Sequence, residues 1–341
     1  MNRNMSSDNP YVAWLDVLGV RELYRENRDA AKKLWQDLYR KVYESLPGEA
    51  TAYGINDGCF IRSGNLEVLL DFAVRLYQCW FDGARPSDER LRPFIRGGVT
   101  RCADDSQLCK ENIPVWLLGP GFLHADEYES ILRGGCLFLD PLLAEQLPAV
   151  SAMRYDWYDL SEWGKANEQP QASEPPRVEV IEWLWPWAED DQTVLDRLEA
   201  AQKFYENSLA ENPTPPTDRD LSRKQKVLLH REETFKTCIR AAGACLAIHK
   251  SRKLIDALDK LLTYQADRIF CTWGVSFLAL EAISRGGLAD SRAYVKKSID
   301  FVRKNCDKWP RKDDYKRQLS MRTYASFGQW VRRHSDMPLA T

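Results

Sequence analysis

A change of texture near Asp191 constrains this chain more than any other feature. Before it, strand-like runs alternate with single helical stretches; beyond it, apolar residues recur every three or four positions almost without a break. Two architectures therefore share one polypeptide of 341 residues, a length beyond what a single hydrophobic core usually organises. The expected division is 8-190 and 191-341. Within the second part, Asn212-Pro213-Thr214-Pro215-Pro216-Thr217 reads as a stiff linker, because proline fixes its own backbone and removes a donor.

In the first part, Tyr11 to Asp16 is a strand of aromatic and branched residues ending at an acid. Ala31, Leu34, Trp35, Leu38, Val42 and Leu46 then keep helical spacing until Pro47-Gly48 stops them. Thr51 to Ile55 and Cys59 to Arg62 flank Asn56-Asp57-Gly58, a strong hairpin signal. A helix fits Leu66 to Trp80, a strand Leu91 to Thr100, and a further helix the stretch around Gly121 to Leu132. Cys136 to Leu139 and Val178 to Leu184 are again strand-like. Strands alternating with single helices indicate an α/β or α+β domain from about Pro10 to Trp187.

The second part is a helical bundle on this reading. Gln192 to Glu211 is one helix, and Leu228, Phe235, Ile239, Ala242 and Leu246 lie along a long second one. Leu254, Leu258 and Leu261 continue the pattern, then Ile269, Trp273, Phe277 and Leu280, then Tyr315 to Arg332.

Composition removes several classes of function. Lys and Arg total 48 against 50 Asp and Glu, so no basic excess exists to hold nucleic acid through phosphate neutralisation. No apolar run reaches the roughly 18 to 20 residues of a membrane-spanning helix, and the first residues lack the apolar core of a secretion signal. The expectation is a cytoplasmic protein whose nine cysteines are reduced and mostly buried. His124, His230, His249 and His334 are scattered, and no zinc-ligand spacing with a cysteine is expected among them. Short basic runs such as Arg223-Lys224-Gln225-Lys226 sit among acids and read as solvated helix faces.

Chemistry is expected at two acids. Asp16 ends the first strand, and Asp57 sits at the tip of a hairpin that would pair beside it. Carboxylates converging from adjacent strand ends repel unless they share cations. An all-oxygen site of that kind suits Mg²⁺ or Mn²⁺ with phosphate oxygens completing the shell. Gly19, lacking a Cβ, would let backbone N–H groups approach a phosphate. The same residues also fit a plainer reading, in which Asp16 caps a helix and Asp57 is a turn residue.

The run Tyr11-Val12-Ala13-Trp14-Leu15-Asp16-Val17-Leu18-Gly19 resembles the opening strand of class III nucleotidyl cyclase domains. Asn56-Asp57-Gly58 falls at that family's metal-bearing hairpin, Arg96-Gly97-Gly98-Val99-Thr100 is similar to its next core strand, and Leu118 to Ala125 to its glycine-led dimer-facing helix. Order and spacing agree over about 180 residues, and the runs look most like those of the bacterial Pycsar pyrimidine cyclases. The resemblance implies an α+β fold with a ferredoxin-like βαββαβ core, followed by an all-α C-terminal domain. It implies two divalent cations, Mn²⁺ or Mg²⁺, on Asp16, Asp57 and the Val17 backbone. Substrate contacts would come from Val17, Gly19, Tyr53 and Arg96, with Arg96 also catalytic.

Departures shape the expected substrate. Tyr53 stands where purine cyclases carry a base-reading lysine, and Trp116 where they carry an aspartate. Two large aromatics shrink the pocket and suit a pyrimidine, although both also fit as core. Leu123 and Glu127 replace the family's transition-state asparagine and arginine, leaving Arg96 and Arg21 as substitute cations. The implied activity is conversion of UTP or CTP to a cyclic nucleotide by a homodimer in antiphage defence. A separate effector would respond to that product, with no nucleic acid or membrane partner. The alternative is a catalytically degenerate domain that binds nucleotide or dimerises.

Overall fold

The computed structural model describes residues 11–17, 20–55, 58–78, 95–101, 123, 125, 134–140, 142, 143, 146, 154–159, 179–183, 190–211, 223–262, 275, 278, 279, 282 and 283. Contacts divide the chain into two compact units, Met1–Pro148 and Ala149–Thr341.

In the first unit, β1 (Tyr11–Val17) is buried at every residue after Tyr11, so side chains on both faces of this central strand are covered. β3 (Gly58–Ser63) and β4 (Ile95–Arg101) flank it, both antiparallel to it. β2 (Ala50–Ile55) pairs antiparallel with β3, and the short β5 (Leu137–Leu139) runs parallel to β4. The strand order in this unit is β2-β3-β1-β4-β5. Helices α1 (Val20–Glu26) and α2 (Arg28–Ser45) join β1 to β2, and α3 (Leu66–Gln78) joins β3 to β4. Chain order β1-α-β2-β3-α3-β4 on a 2-3-1-4 sheet is a ferredoxin-like βαββαβ core, so the α+β class expected from the sequence is the class observed.

Local chemistry sets the helix limits. Asn27 caps α2, its Oδ1 accepting from the Ala30 N–H at 3.1 Å, and so separates α2 from the short α1 that apolar spacing did not flag. Asn65 caps α3, accepting from the Glu67 N–H at 2.9 Å and the Val68 N–H at 3.4 Å. The buried stripe of α2 is Ala31, Leu38 and Val42. Trp35, expected to share it, is instead exposed and meets Tyr39 edge-on at 5.0 Å.

Alternation gives the sheet two distinct faces. Tyr53, Phe60 and Trp14 lie opposite one another in register, with Gly58, Asp16 and Arg96 in the next row. That face carries a core cluster of Val12, Trp14, Phe60 and Ala125. Gly54, Cys59 and Leu15 form a row on the other face, where α2 packs and α3 lies against it. A Cβ at Gly54 would sit 1.9 Å from the Tyr39 ring, so only glycine admits α2 this closely.

The second unit opens with an antiparallel pair, β6 (Arg154–Asp159) and β7 (Glu179–Trp183). β7 falls inside the expected strand; β6 was not anticipated, although Tyr155, Trp157 and their neighbours have strand character. Every described element after residue 190 is helical: α4 (Asp191–Glu211), α5 (Arg223–His249) and α6 (Arg252–Leu262). α4 and α5 run antiparallel, with Tyr205 5.9 Å from Phe235 midway and Asp191 beside Cys245 at one end. Residues 232–246 of α5 are all buried. Gly243 permits this, since a Cβ there would be 2.7 Å from that of Ala282. The helices expected through Ile269, Trp273, Phe277 and Leu280 and over Tyr315 to Arg332 involve positions outside the described residues, as does the proline linker. No described helix is long and apolar enough to cross a membrane.

Candidate active site

Asp16 is the one acid of β1, near the strand's C-terminal end, and it lies in register with Gly58 on one side and Arg96 on the other. Cross-strand neighbours on one face are close enough for side chains to meet. The Arg96 Nε donates to Asp16 Oδ2 at 3.2 Å and its Nη2 donates to the same oxygen at 3.1 Å. The two side chains are only 19% and 11% exposed, so this pair is far less screened than a surface ion pair. The structure therefore brings Asp16 and Arg96 together.

Asp57 and Gly19 lie outside the described residues, as do Trp116, His124 and Glu127. The strands that Asp57 joins are described, and Ile55 pairs with Gly58, which itself pairs with Asp16. Val17 closes β1, buried and opposite Ile95. Tyr53 is half-buried on the same face as Asp16, packed on the Trp14–Phe60 cluster, whose two rings are 4.4 Å apart. Leu123 is helical and 61% exposed, whereas Ala125 beyond it is fully buried. An aliphatic side chain at Leu123 offers no donor to a charged ligand. Arg21 lies on α1.

The base of the hairpin has its own support, which sequence reasoning missed. The Tyr39 hydroxyl donates to the Gly58 carbonyl at 2.7 Å, reaching from α2 across Gly54. The signal was the Trp35, Tyr39, Tyr43 repeat at four-residue spacing, which places three rings on one helix face. An open cleft of about 430 Å³ is lined by Trp35, Gln36, Tyr39, Tyr43 and Gly54. It lies across the sheet from Asp16, so the acid's chemistry does not belong to it. Cys59, behind Asp16 on that far face, is a buried thiol; burial, with Asp16 adding to it, pushes its pKa up to about 12. It is a packed neutral group and no nucleophile.

The donors suit a hard divalent cation. A carboxylate at Asp16 and a backbone carbonyl at Val17 are oxygen ligands of the kind Mg²⁺ and Mn²⁺ take. Arg96 now neutralises Asp16, so a cation at Oδ2 and the guanidinium in this position compete for one oxygen.

A second constellation contradicts one expectation. Cys245 and His249 are four residues apart on α5, and with Asp191 of α4 their ligand atoms all lie within 4.8 Å of one another. The four described cysteines, Cys59, Cys136, Cys238 and Cys245, are buried thiols, as expected.

No family model matches the chain, and no curated protein matches it. Among solved structures it is similar to two of adenylate cyclases from Trypanosoma brucei in their monomeric state. One has 13% identity and a TM-score of 0.41, covering 54% of this chain and 91% of that one. The other has 12% identity and a TM-score of 0.40, covering 53% and 92%. It is also similar to an adenylate/guanylate cyclase/hydrolase from Silicibacter pomeroyi, with 14% identity, a TM-score of 0.34, and coverage of 51% and 95%.

Proposed function

We propose that this protein is a nucleotidyl cyclase of the class III type that converts UTP or CTP to the 3′,5′-cyclic monophosphate and pyrophosphate. The observation that carries the reading is the placement of Asp16. It is an acid near the end of the central strand of a βαββαβ sheet, with Arg96 bonded to it from one neighbouring strand and the base of the Asp57 hairpin in register on the other. Asp16, the Val17 carbonyl and Asp57 would hold two divalent cations, Mn²⁺ or Mg²⁺, which would neutralise triphosphate charge and lower the pKa of the attacking hydroxyl.

In the reaction the ribose 3′-oxygen bonds to the α-phosphorus, the bond from that phosphorus to the bridging oxygen breaks, and the hydroxyl proton passes to solvent. Backbone N–H groups near Val17 to Val20 would cradle phosphate oxygens, and Arg96 would donate to the charge that develops on the leaving group. Tyr53, fixed by the Trp14–Phe60 cluster, forms a wall of the base pocket. This is catalysis by positioning and charge neutralisation. The catalytic region is 8-190, acting as a homodimer in the cytoplasm, with 191-341 as an accessory helical region. By resemblance to the Pycsar cyclases, the product signals phage infection to a separate cyclic-nucleotide-responsive effector.

A second reading is a degenerate cyclase domain that binds nucleotide without turnover. The exposed Leu123 favours it, since it leaves no donor where the family has its asparagine. Incubating the purified chain with each nucleoside triphosphate and Mn²⁺, with products identified by mass, decides between them. A cyclic pyrimidine product that disappears in Asp16→Ala supports the enzyme; no cyclic product from any triphosphate, with nucleotide binding unchanged in Asp16→Ala, removes it.

A further inference from the structure

We infer that Asp191, Cys245 and His249 form a binding site for a borderline divalent transition ion of the Zn²⁺ class, clamping the N-terminus of α4 to the C-terminus of α5. The three residues come from two helices, and antiparallel packing brings their ends together. Cys245 and His249, at i and i+4, share one face of the last turn of α5. Asp191 begins α4, and its Oδ1 accepts from the Cys245 thiol at 3.4 Å.

The distances suit a tetrahedral ion. Bonds of about 2.0 to 2.3 Å from zinc to oxygen, nitrogen and sulfur place neighbouring ligands about 3.5 Å apart. The sulfur–oxygen pair is already at that separation, and all three ligand atoms lie within 4.8 Å, a gap side-chain rotation can close. The donor set selects the metal class. A thiolate with an imidazole and a carboxylate favours Zn²⁺ or Co²⁺ over Mg²⁺ and Ca²⁺, which take oxygen alone.

The surroundings divide the work between two adjacent acids. Asp190 is committed as the cap of α4: its Oδ1 accepts from the Gln192 and Thr193 N–H groups, both at 3.0 Å. Asp191 is thereby left to face Cys245. The α5 C-terminus, where Lys250 takes a left-handed turn with φ 53° and donates its N–H to the Leu246 carbonyl, presents the negative end of a helix dipole. Without an ion, burial and the Asp191 and Asp190 carboxylates push the Cys245 thiol up to about 12. A bound divalent cation reverses that balance, and the thiol proton goes to solvent. Cys245 is buried whereas His249 is exposed, so the fourth coordination position opens towards water.

The test uses the full chain, reduced and stripped with a chelator, then titrated with Co²⁺. Saturable formation of one thiolate-bound cobalt per chain is expected, read from a thiolate-to-cobalt charge-transfer band in the near ultraviolet and tetrahedral d–d bands in the visible. Zn²⁺ should displace it and a large excess of Mg²⁺ should not. Cys245→Ser should remove the charge-transfer band. His249→Ala, a change at an exposed position that keeps the fold, should weaken binding about tenfold or more. Asp16→Asn should leave every band in place, which separates this site from the proposed catalytic one. No saturable cobalt band in the wild type, or the same band in Cys245→Ser or equal affinity in His249→Ala, overturns the assignment.

Discussion

Arg96 and Asp16 are joined through a single oxygen, Oδ2, which accepts from both Nε and Nη2 at 3.2 and 3.1 Å. A pair so little exposed is costly to break from one side, because the remaining charge stays in a poorly hydrated place. Arg96→Met should lower the stability of the metal-free protein by about 3 kcal/mol. Added Mn²⁺ should then stabilise the variant more than the wild type, since the competing guanidinium is gone. Under the cyclase reading, turnover should also fall by about 100-fold or more through loss of a phosphate donor. Thermal melts with and without Mn²⁺ read the first two effects. Unchanged stability without metal would show that Arg96 does not hold Asp16.

The Tyr39–Gly58 bond offers a way to disturb the hairpin without touching an acid. Tyr39→Phe removes a 2.7 Å hydrogen bond to a backbone carbonyl, worth about 1 kcal/mol. Gly54→Ala forces the Tyr39 ring aside and should cost more, about 1 to 3 kcal/mol. Because both relax the base of the strand pair that carries Asp57, under the cyclase reading product formation should fall further than stability alone predicts. Denaturant midpoints compared with product formation at a temperature where each variant stays folded make the comparison. Full activity in both variants would detach the hairpin base from catalysis.

Asp190 makes the most local prediction. Its carboxyl is held below the usual range, first by the Thr193 hydroxyl, which donates at 2.5 Å, and then by the Thr193 amide. A depressed acid contributes stability above its ordinary pKa and loses it as pH falls through the lowered value. Asp190→Ala should therefore destabilise the helical region by about 1 kcal/mol at neutral pH, the usual worth of an N-cap. Asp190→Asn should recover most of that. Urea unfolding at neutral pH and near pH 3 distinguishes them, and an alanine variant as stable as wild type at neutral pH would refute the cap.

The sequence exposed what depends on local pattern. The Asn-Asp-Gly turn, the alternation in Tyr11 to Asp16 and the stop at Pro47 are short-range signals, and the strands and α2 end within a few residues of them. Features set by tertiary pairing were less legible. β6 carries Tyr155, Trp157 and Tyr158 broken by Asp156 and closed by Asp159, and its pairing with β7 makes it a strand. Trp35 keeps helical spacing with the core yet lies off the buried stripe, because a four-residue repeat drifts around the helix. The Cys245–His249 pair was visible as a spacing of four, but Asp191 lies 54 positions upstream of Cys245, and only the antiparallel packing of α4 on α5 brings it there. The Asp16–Arg96 pair, 80 positions apart, likewise needed the sheet order, although each residue lies in a strand-like run legible in the sequence.

Glu232 couples the helical region to pH. It is buried on α5, its carboxylate 2.6 Å from the Lys236 ammonium, with Glu233 also bonded to that lysine at 2.9 Å. Burial outweighs the lysine, Glu233 adds to it, and together they push the Glu232 pKa up from 4.5 to about 7. The folded chain thus keeps a proton between those values that the unfolded chain has released. Stability from this group is therefore greatest at low pH and is lost as pH rises from about 4.5 through 7. With each tenfold in proton affinity worth about 1.4 kcal/mol, the full effect is on the order of 3 kcal/mol. Glu232→Gln keeps the shape, stays neutral and still accepts from Lys236, so it should flatten the decline between pH 5 and about 7.5 and leave Glu233 as the partner of the lysine. Equilibrium urea unfolding at four pH values, compared between the two proteins, measures the difference in slope. Parallel stability curves for wild type and Glu232→Gln would mean that Glu232 is ionised in the folded chain throughout, and that Lys236 rather than burial governs the helix interior.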